Sequence, residues 1–378
     1  MKKILILGST GSIGRQALDV IARHPDRLSV CGLAANRSEK LLREQAARYR
    51  VPDRALALCT RDGMDALLAL IDTTEPDMVL NAMVGAAGTR ATVYTLRAQI
   101  PLALANKESL VVAGDWVMPL TARSTLIPVD SEHSAIYQCL LGENRAELTR
   151  IWLTASGGPF RGRTREQLRT VTAADALAHP TWNMGAKITV DSAGMMNKGL
   201  EVIEAHHLFG VDYDAIDVLL QPQSLIHSMV EFADGVVIGH LGAPDMRVPI
   251  QYAFSHPERW DAPTPPVDFR ALTALELGDP DTATFECLQL AYDAGRAGGA
   301  APCVLNAANE VAVAAFLAGE IGFPDIPAIV RTALDDRVTD APGRTPPTDD
   351  IEGGLAYLME IDRQVRESSL KHIRRRHH

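Results

Sequence analysis

Near its start the chain reads Ile4-Leu5-Ile6-Leu7 and then Gly8-Ser-Thr-Gly11-Ser-Ile-Gly14. Four consecutive aliphatic residues leave no polar face, so a strand there must be buried on both sides, as in a parallel sheet covered by helices. Three glycines at three-residue spacing then permit a tight turn, and Arg15 to Arg23 after them is amphipathic with a helical period. A strand that feeds a glycine turn and then a helix presents bare backbone N–H groups at the helix start, an arrangement that accepts a pyrophosphate. The spacing is G-x-x-G-x-x-G rather than G-x-G-x-x-G, and a turn kept only for packing is the alternative. The context favours the nucleotide. Strand-like runs recur at 28–35, 55–58, 78–81 and 102–105, with helical patterns over 40–50 and 64–71. That alternation is the signature of a doubly wound sheet.

The second strand ends Ala34-Ala35-Asn36-Arg37-Ser38, without the acid that would bond a ribose 2′-hydroxyl. A guanidinium suits a 2′-phosphate, so the expected cofactor is NADP(H) rather than NAD(H). Asn106-Lys107-Glu108-Ser109 follows the run at 102–105 and falls at the carboxyl edge of the sheet, where open α/β folds bind ligands.

Beyond about residue 130 the texture changes. Short strand patterns at 151–154, 218–220, 229–232 and 236–241, the last after the hairpin signal Asp234-Gly235, suggest an α+β part. Residues 257–270 are proline-rich, and helical patterns cover 284–297, 304–318, 326–336 and 351–368. The expectation is an α/β protein: an N-terminal Rossmann-like doubly wound sheet (1–130), a central α+β catalytic domain (131–257), a linker (258–281) and a C-terminal helical bundle (282–378). The basic end, Lys371 to His378, reads as a frayed terminus.

Composition excludes several classes. A formal charge of -10 over 378 residues argues against a general nucleic-acid or anionic-membrane binder. No apolar run reaches the roughly 18 residues of a spanning helix, and the four-residue stretch after Met1-Lys2-Lys3 is too short for a signal peptide. Five scattered cysteines without a C-x-x-C fit a reduced, cytoplasmic protein.

Three segments carry chemistry. In Val129-Asp130-Ser131-Glu132-His133-Ser134, an extended backbone would send residues 130 and 132 to one face. Two carboxylates there repel unless a hard divalent cation neutralises them, and two surface acids are the plain alternative. Ser156-Gly157-Gly158-Pro159-Phe160 follows a strand pattern and is a suitable anion cradle. From His179 to Glu201 the chain is dense in polar and flexible residues. Trp182 and Met184 in that stretch suit a lid over a ligand, or a tryptophan tucked into the core. Asn197 to Phe209 reads as a helix on which Glu201 and Glu204 are spaced i, i+3, so that only one need be functional. His206 and His207 are adjacent, so they do not share a helix face.

Taken in order, these segments resemble the 1-deoxy-D-xylulose 5-phosphate reductoisomerase family. Gln221-Pro-Gln-Ser-Leu-Ile-His227, Pro244-Asp-Met-Arg247 and Asn306-Ala-Ala-Asn-Glu-Val311 extend the resemblance over most of the chain. The resemblance implies an NADPH- and metal-dependent enzyme that rearranges a ketose phosphate and reduces the product, on the non-mevalonate isoprenoid route. It implies that Gly8, Thr10, Gly11, Ser12, Ile13 and Gly14 hold the cofactor phosphates, with Ala35, Asn36 and Arg37 near the adenosine 2′-phosphate; Asn36 stands where the family commonly has glycine. Asn106, Glu108 and Met246 belong to the same cofactor site. Asp130, Glu132 and Glu201 match the ligands of one divalent cation (Mg²⁺ or Mn²⁺, with Co²⁺ a further candidate), which adds a third carboxylate to the pair. Lys107 and Ser131 match contacts at the reacting end of the substrate. Ser156, His179, Trp182, Ser192, Asn197 and Lys198 match its phosphate and hydroxyl contacts, with a flap over about 179–190. Lys107, Asp130, Glu132, Glu201 and His179 are the implied catalytic set, and the family forms homodimers.

Two other readings compete. A semialdehyde-type dehydrogenase would need an activated cysteine, for which Cys139 in an apolar helical pattern is the nearest candidate. A non-catalytic NADP-binding sensor would not need the carboxylates and the anion cradle together.

Overall fold

The computed structural model describes residues 1–182, 184–337 and 346–376. The aliphatic start forms β1 (Lys2–Leu7), followed by β2 (Leu28–Ala35), β3 (Leu56–Leu58), β4 (Met78–Asn81), β5 (Leu102–Leu104) and β6 (Leu126–Pro128). They make one parallel sheet in the order β3-β2-β1-β4-β5-β6. The order reverses at β1, so the glycine turn leaves the sheet at its topological switch point, where such folds bind ligands.

Ile4 to Leu7 are fully buried, as a strand with helices on both faces must be. The Ser12–Arg23 helix turns Ala17, Leu18 and Ile21 onto this core. The Arg247–Ser255 helix, far away in sequence, adds Ile250, Ala253 and Phe254 to the same cluster. Burying an aliphatic side chain of this size is worth about 1.5–3 kcal/mol, which is why a late segment returns to an early sheet.

The second sheet contains β7 (Leu148–Ala155), β8 (Ile216–Leu220), β9 (Ile226–Phe232) and β10 (Val237–Leu241), in the order β10-β9-β7-β8. Its β9–β10 pair is antiparallel and turns through Gly235 at φ 83°, as Asp234-Gly235 predicts. Helices Cys287–Ala297, Ala301–Leu317, Asp325–Arg337 and Ile351–Arg376 follow. The last continues through the basic stretch to Arg376, so the frayed end expected from Lys371 is helical that far; His377 and His378 lie outside the described residues, as does 338–345.

The chain divides into two units that are interleaved along it, unlike the consecutive segments 1–130, 131–257, 258–281 and 282–378. The first contains Met1–Ser109, Pro119–Leu141 and Asp245–Asp268. The second contains Leu110–Met118, Gly142–Pro244 and Phe269–His378. The returning Arg247–Ser255 helix explains why residues near 250 belong with the first sheet.

Candidate active site

In the first unit, β1 hands over to Gly8 at φ 92°, a conformation that strains any residue with a Cβ. Space forbids one too: a Cβ on Gly8 would lie 2.3 Å from the Ala82 carbonyl oxygen. The N–H groups of Gly8 and Ser9 both donate to Ala34 O at 2.9 Å, so the turn is laced to the end of β2. A Cβ on Gly14 would lie 2.4 Å from Gly8 O, so the helix starts in contact with the turn.

Gly11 caps that helix with no side-chain acceptor. The first-turn amides of Ser12, Ile13 and Gly14 therefore have no intrahelical partner and face outward at the positive end of the helix dipole. With half-buried Thr10 beside them, they have the chemistry that suits an anion such as a diphosphate.

One strand over, Ala34 and Ala35 are buried, while Asn36 and Arg37 emerge into solvent. Asn36 O accepts from Thr60 N (3.1 Å) and Thr60 Oγ1 (2.8 Å), which holds the loop carrying Arg37 at the sheet's carboxyl edge. Met246 is partly buried against the core of the same unit.

Asn106 lies at the carboxyl edge of the same sheet, just after β5. Its side chain is fully buried, and Nδ2 donates to Met83 O, Gly85 O and Glu108 Oε2, each at 3.0 Å. These bonds tie Asn106 to the 83–85 turn and to Glu108.

Lys107 is only 8% exposed, with Nζ 2.9 Å from Asp130 Oδ2. The local structure at Asp130 corrects the extended reading. The sheet ends at Pro128, and Asp130 is the N-cap of the Ser131–Cys139 helix, accepting from Ser131 N. Asp at the cap and Glu in the first turn is a helix-start pattern, favoured by the dipole. Asp130 and Glu132 thus gather at one helix terminus instead of along a strand. Ser131 Oγ donates to Glu132 Oε2. The helix also presents His133, fully buried with Nδ1 3.8 Å from Asp130 Oδ2. Sequence reasoning passed over this residue, although i, i+3 spacing from a capping acid would have found it.

In the second unit, β7 ends at Ala155 and Ser156-Gly157-Gly158 turns sharply, the glycines at φ 84° and 67°. Gly158 packs so closely that a Cβ would lie 2.6 Å from Ser192 O, which joins this loop to the Ala186–Ala193 helix. Ser156 Oγ is 3.1 Å from His179 Nε2. His179 Nδ1 accepts from the N–H groups of Thr181 (3.2 Å) and Trp182 (3.0 Å). A nitrogen accepting two N–H bonds carries no proton, so the proton sits on Nε2 and is donated to Ser156. Burial holds the His179 pKa below its ordinary value. Trp182 and Met184 are half-buried, and Asn183 lies outside the described residues. Within the segment 179–190 a helix begins at Ala186.

Helix Met196–Phe209 carries the densest group. Lys198 and Glu201 are 5% and 1% exposed and form an ion pair, while Asn197 Nδ2 donates to Glu201 Oε1 at 2.5 Å. Spacings of three and four residues place all three on one face. Glu204, one further turn along, is also buried. His206 and His207 diverge as expected. His206 stacks on Tyr213 with centroids 4.2 Å apart, and His207, near Asp115, has its pKa pushed down to about 4 by burial.

Burial also raises the Cys139 thiol to about 11, which removes the activated nucleophile a semialdehyde dehydrogenase needs. All five cysteines are free.

A nucleotide cradle on a doubly wound sheet, with buried lysines set on carboxylates and a serine–glycine anion loop, defines a dinucleotide-dependent oxidoreductase for a small anionic substrate. Residues 4–114 match the family model described as 1-deoxy-D-xylulose 5-phosphate reductoisomerase, and 126–209 and 241–368 match its two C-terminal domain models. A relative from Desulforamulus reducens carrying that description is 49% identical over 99% of both chains. One from Xanthomonas oryzae is 48% identical over 98% of both. A crystal structure of DOX-P reductoisomerase with NADPH, fosmidomycin and magnesium superposes with a TM-score of 0.92, at 37% identity over 99% of this chain and 98% of that one. The Zymomonas mobilis reductoisomerase with NADPH gives 0.86, at 40% identity over 98% and 99%. The chain belongs to the 1-deoxy-D-xylulose 5-phosphate reductoisomerase family.

Proposed function

We propose that this protein converts 1-deoxy-D-xylulose 5-phosphate to 2-C-methyl-D-erythritol 4-phosphate with NADPH and one divalent cation, as a step of non-mevalonate isoprenoid precursor synthesis. The observation that carries the cofactor is the glycine turn. A Cβ at Gly8 or Gly14 would fill the cradle or displace its wall, and the amides of Ser12 and Ile13 face outward above it. Arg37, with Ala35 and Asn36, binds the 2′-phosphate, and Met246 lies against the nicotinamide.

For the cation, the proposed ligands are Asp130, Glu132 and Glu201. Their donors are all oxygen, which suits Mg²⁺ or Mn²⁺, and Co²⁺ less well. The bound cation supplies Lewis acidity at the substrate carbonyl and a neighbouring hydroxyl. Lys107 and Ser131 orient those oxygens. Lys107 and Lys198 offset the excess negative charge of three carboxylates against a dication.

Ser156, His179, Ser192, Asn197 and Lys198 hold the substrate phosphate and neighbouring hydroxyls. His179 donates its Nε2 proton toward Ser156, so Ser156 Oγ keeps its own proton for an anion. Trp182 closes over the site and excludes water. Binding energy from the distant phosphate thereby orients the reacting carbons.

The protein works as a homodimer in the cytoplasm. Five free cysteines support the compartment, and no helix among the described residues is long and apolar enough to cross a membrane. No nucleic acid or membrane partner is needed for this chemistry.

The test is NADPH oxidation followed spectrophotometrically with 1-deoxyxylulose 5-phosphate, with Mg²⁺ and after chelation. Turnover should require the cation, and Glu201→Gln should lose it by two or more orders of magnitude while keeping NADPH affinity. Full turnover in EDTA sinks the carboxylate assignment.

A further inference from the structure

Two turns at the carboxyl edge of the first sheet, residues 82–88 after β4 and 105–109 after β5, are joined by a chain of polar side chains. Asn81, Thr92, Asn106 and Ser109 are each fully buried, and all four belong to the first unit. Polar groups in so dry a place are tolerated only when each is satisfied. Neither Thr92 nor Ser109 has a role in the site described above.

Following the protons gives the chain a direction. Asn106 Nδ2 faces three acceptors, Met83 O, Gly85 O and Glu108 Oε2, so Oδ1 is the atom turned to Ser109 N, at 3.1 Å. That oxygen can only accept, so the Ser109 hydroxyl gives it its proton. Ser109 Oγ, its proton committed, accepts from Thr92 Oγ1 at 2.9 Å. Thr92 Oγ1 accepts in turn from Asn81 Nδ2 at 2.9 Å, and the other Nδ2 proton goes to Gly88 O at 2.9 Å. Asn81 Oδ1 accepts from Met83 N at 3.2 Å. The chain thus leaves the 82–88 turn at the Met83 N–H and returns to it at the Met83 and Gly85 carbonyls. Neither hydroxyl can reverse without orphaning a buried neighbour, so the two asparagines lock each other through Thr92 and Ser109.

What this holds is the wall of the glycine turn. A Cβ on Gly8 would lie 2.3 Å from Ala82 O and 3.0 Å from Met83 N, so any shift of the 82–88 turn is felt at Gly8. The turn has no slack on its other side either, because a Cβ on Gly88 would lie 2.5 Å from Asn106 Oδ1. We propose that Thr92 and Ser109 are positioning residues for the cofactor. Acting through Asn81 and Asn106, their hydroxyls hold the 82–88 turn against Gly8 and so keep the amides of the glycine turn in register for the diphosphate. The inference rests on the NADPH reading above and gives neither hydroxyl a contact with the cofactor.

The test is NADPH titrated into the full chain by fluorescence, each variant well below its own melting temperature, which is recorded alongside. Thr92→Val keeps the side-chain shape and deletes the hydroxyl; it should weaken NADPH about tenfold. Thr92→Ser keeps the hydroxyl and drops a methyl; it should stay within about twofold of wild type. Ser109→Ala breaks the next link and should match Thr92→Val, and it decides the matter if Thr92→Val does not fold. Combining the two should cost no more than either alone, because one broken link already frees Asn106. Wild-type affinity in the variants that lack a hydroxyl overturns the proposal. So does a loss that follows the melting temperature instead of the hydroxyl, with Thr92→Ser weakened as much as Thr92→Val. A wild type that fails to bind NADPH refutes the cofactor reading itself, and this role with it. A wild type that binds NADPH but does not turn over 1-deoxyxylulose 5-phosphate refutes the substrate reading and leaves the affinity comparison to decide this one.

Discussion

At the residue scale, buried Lys198 and half-buried His179 matter most because each has its polar atoms already committed. Lys198 and Glu201 neutralise each other in a nearly dry position. Removing one partner leaves an uncompensated buried charge, which costs about 3–5 kcal/mol. Lys198→Ala should therefore lower the melting temperature and depress turnover together with substrate affinity. Unchanged melting and kinetics would take Lys198 out of the site. His179 makes a pH prediction. Its Nδ1 accepts two backbone N–H bonds, and protonation there breaks both. Burial lowers the folded pKa below the unfolded value of 6.5, so at acid pH the unfolded loop binds the proton more readily than the folded one. The ordered loop is thus favoured above about pH 6.5 and loses stability as the pH falls below it. Substrate KM should rise with acidification over that range and Trp182 fluorescence should change with it. In His179→Gln both profiles should flatten; a wild-type KM independent of pH between 5 and 7 would refute the coupling.

At the element scale, the glycine turn is where local geometry and function are inseparable. Gly14 starts its helix against the backbone of Gly8 and Ser9. Gly14→Ala must push the helix away from the turn, which misplaces the amides of Ser12 and Ile13. NADPH affinity should drop at least tenfold, a loss of about 1.4 kcal/mol, measurable by fluorescence titration. Substrate-phosphate binding is built on the other unit and should persist. An NADPH affinity equal to wild type would mean that the amides do not carry the cofactor. The same scale shows why the motif at Asp130 was read with the wrong backbone. Alternation places residues 130 and 132 on one face only if the strand continues, but it stops at Pro128. The capping signal, an acid followed by another acid in the first turn, lies in the same residues, and helix-terminus chemistry prevailed over alternation.

At the scale of the whole molecule, a net charge of -10 coexists with anionic ligands. Attraction must therefore be local, and the groups proposed to supply it are helix amides, Arg37, Lys107 and Lys198. The second sheet has an edge that needs covering: β10 is its terminal strand, with Val237 47% and Leu241 39% exposed, and Val236 beside it is 51% exposed. An apolar edge strand of this kind invites pairing with another chain, and a second copy is the partner proposed here. Val237→Lys with Leu241→Lys should shift the protein from dimer to monomer in sedimentation equilibrium, with the cofactor affinity of each chain kept. A doubly substituted protein that sediments as the wild type would place the interface elsewhere.

Much of this protein was legible in one dimension. The aliphatic run and glycine spacing determined the parallel sheet, its cofactor turn and the alternation that follows, because burial and backbone clearance are local demands written in consecutive residues. Apolar periodicity located β2 and β4 to the residue and the start of the last helix, which runs past the expected residue 368 to Arg376. Tertiary structure decided the rest. It alone brought the Arg247–Ser255 helix back to the first sheet, set Lys107 on Asp130, turned His179 toward Ser156 and buried the side chain of Asn106. Those outcomes depend on packing between segments tens to hundreds of residues apart, where the deciding term is which surfaces exclude water together, and no local pattern records that.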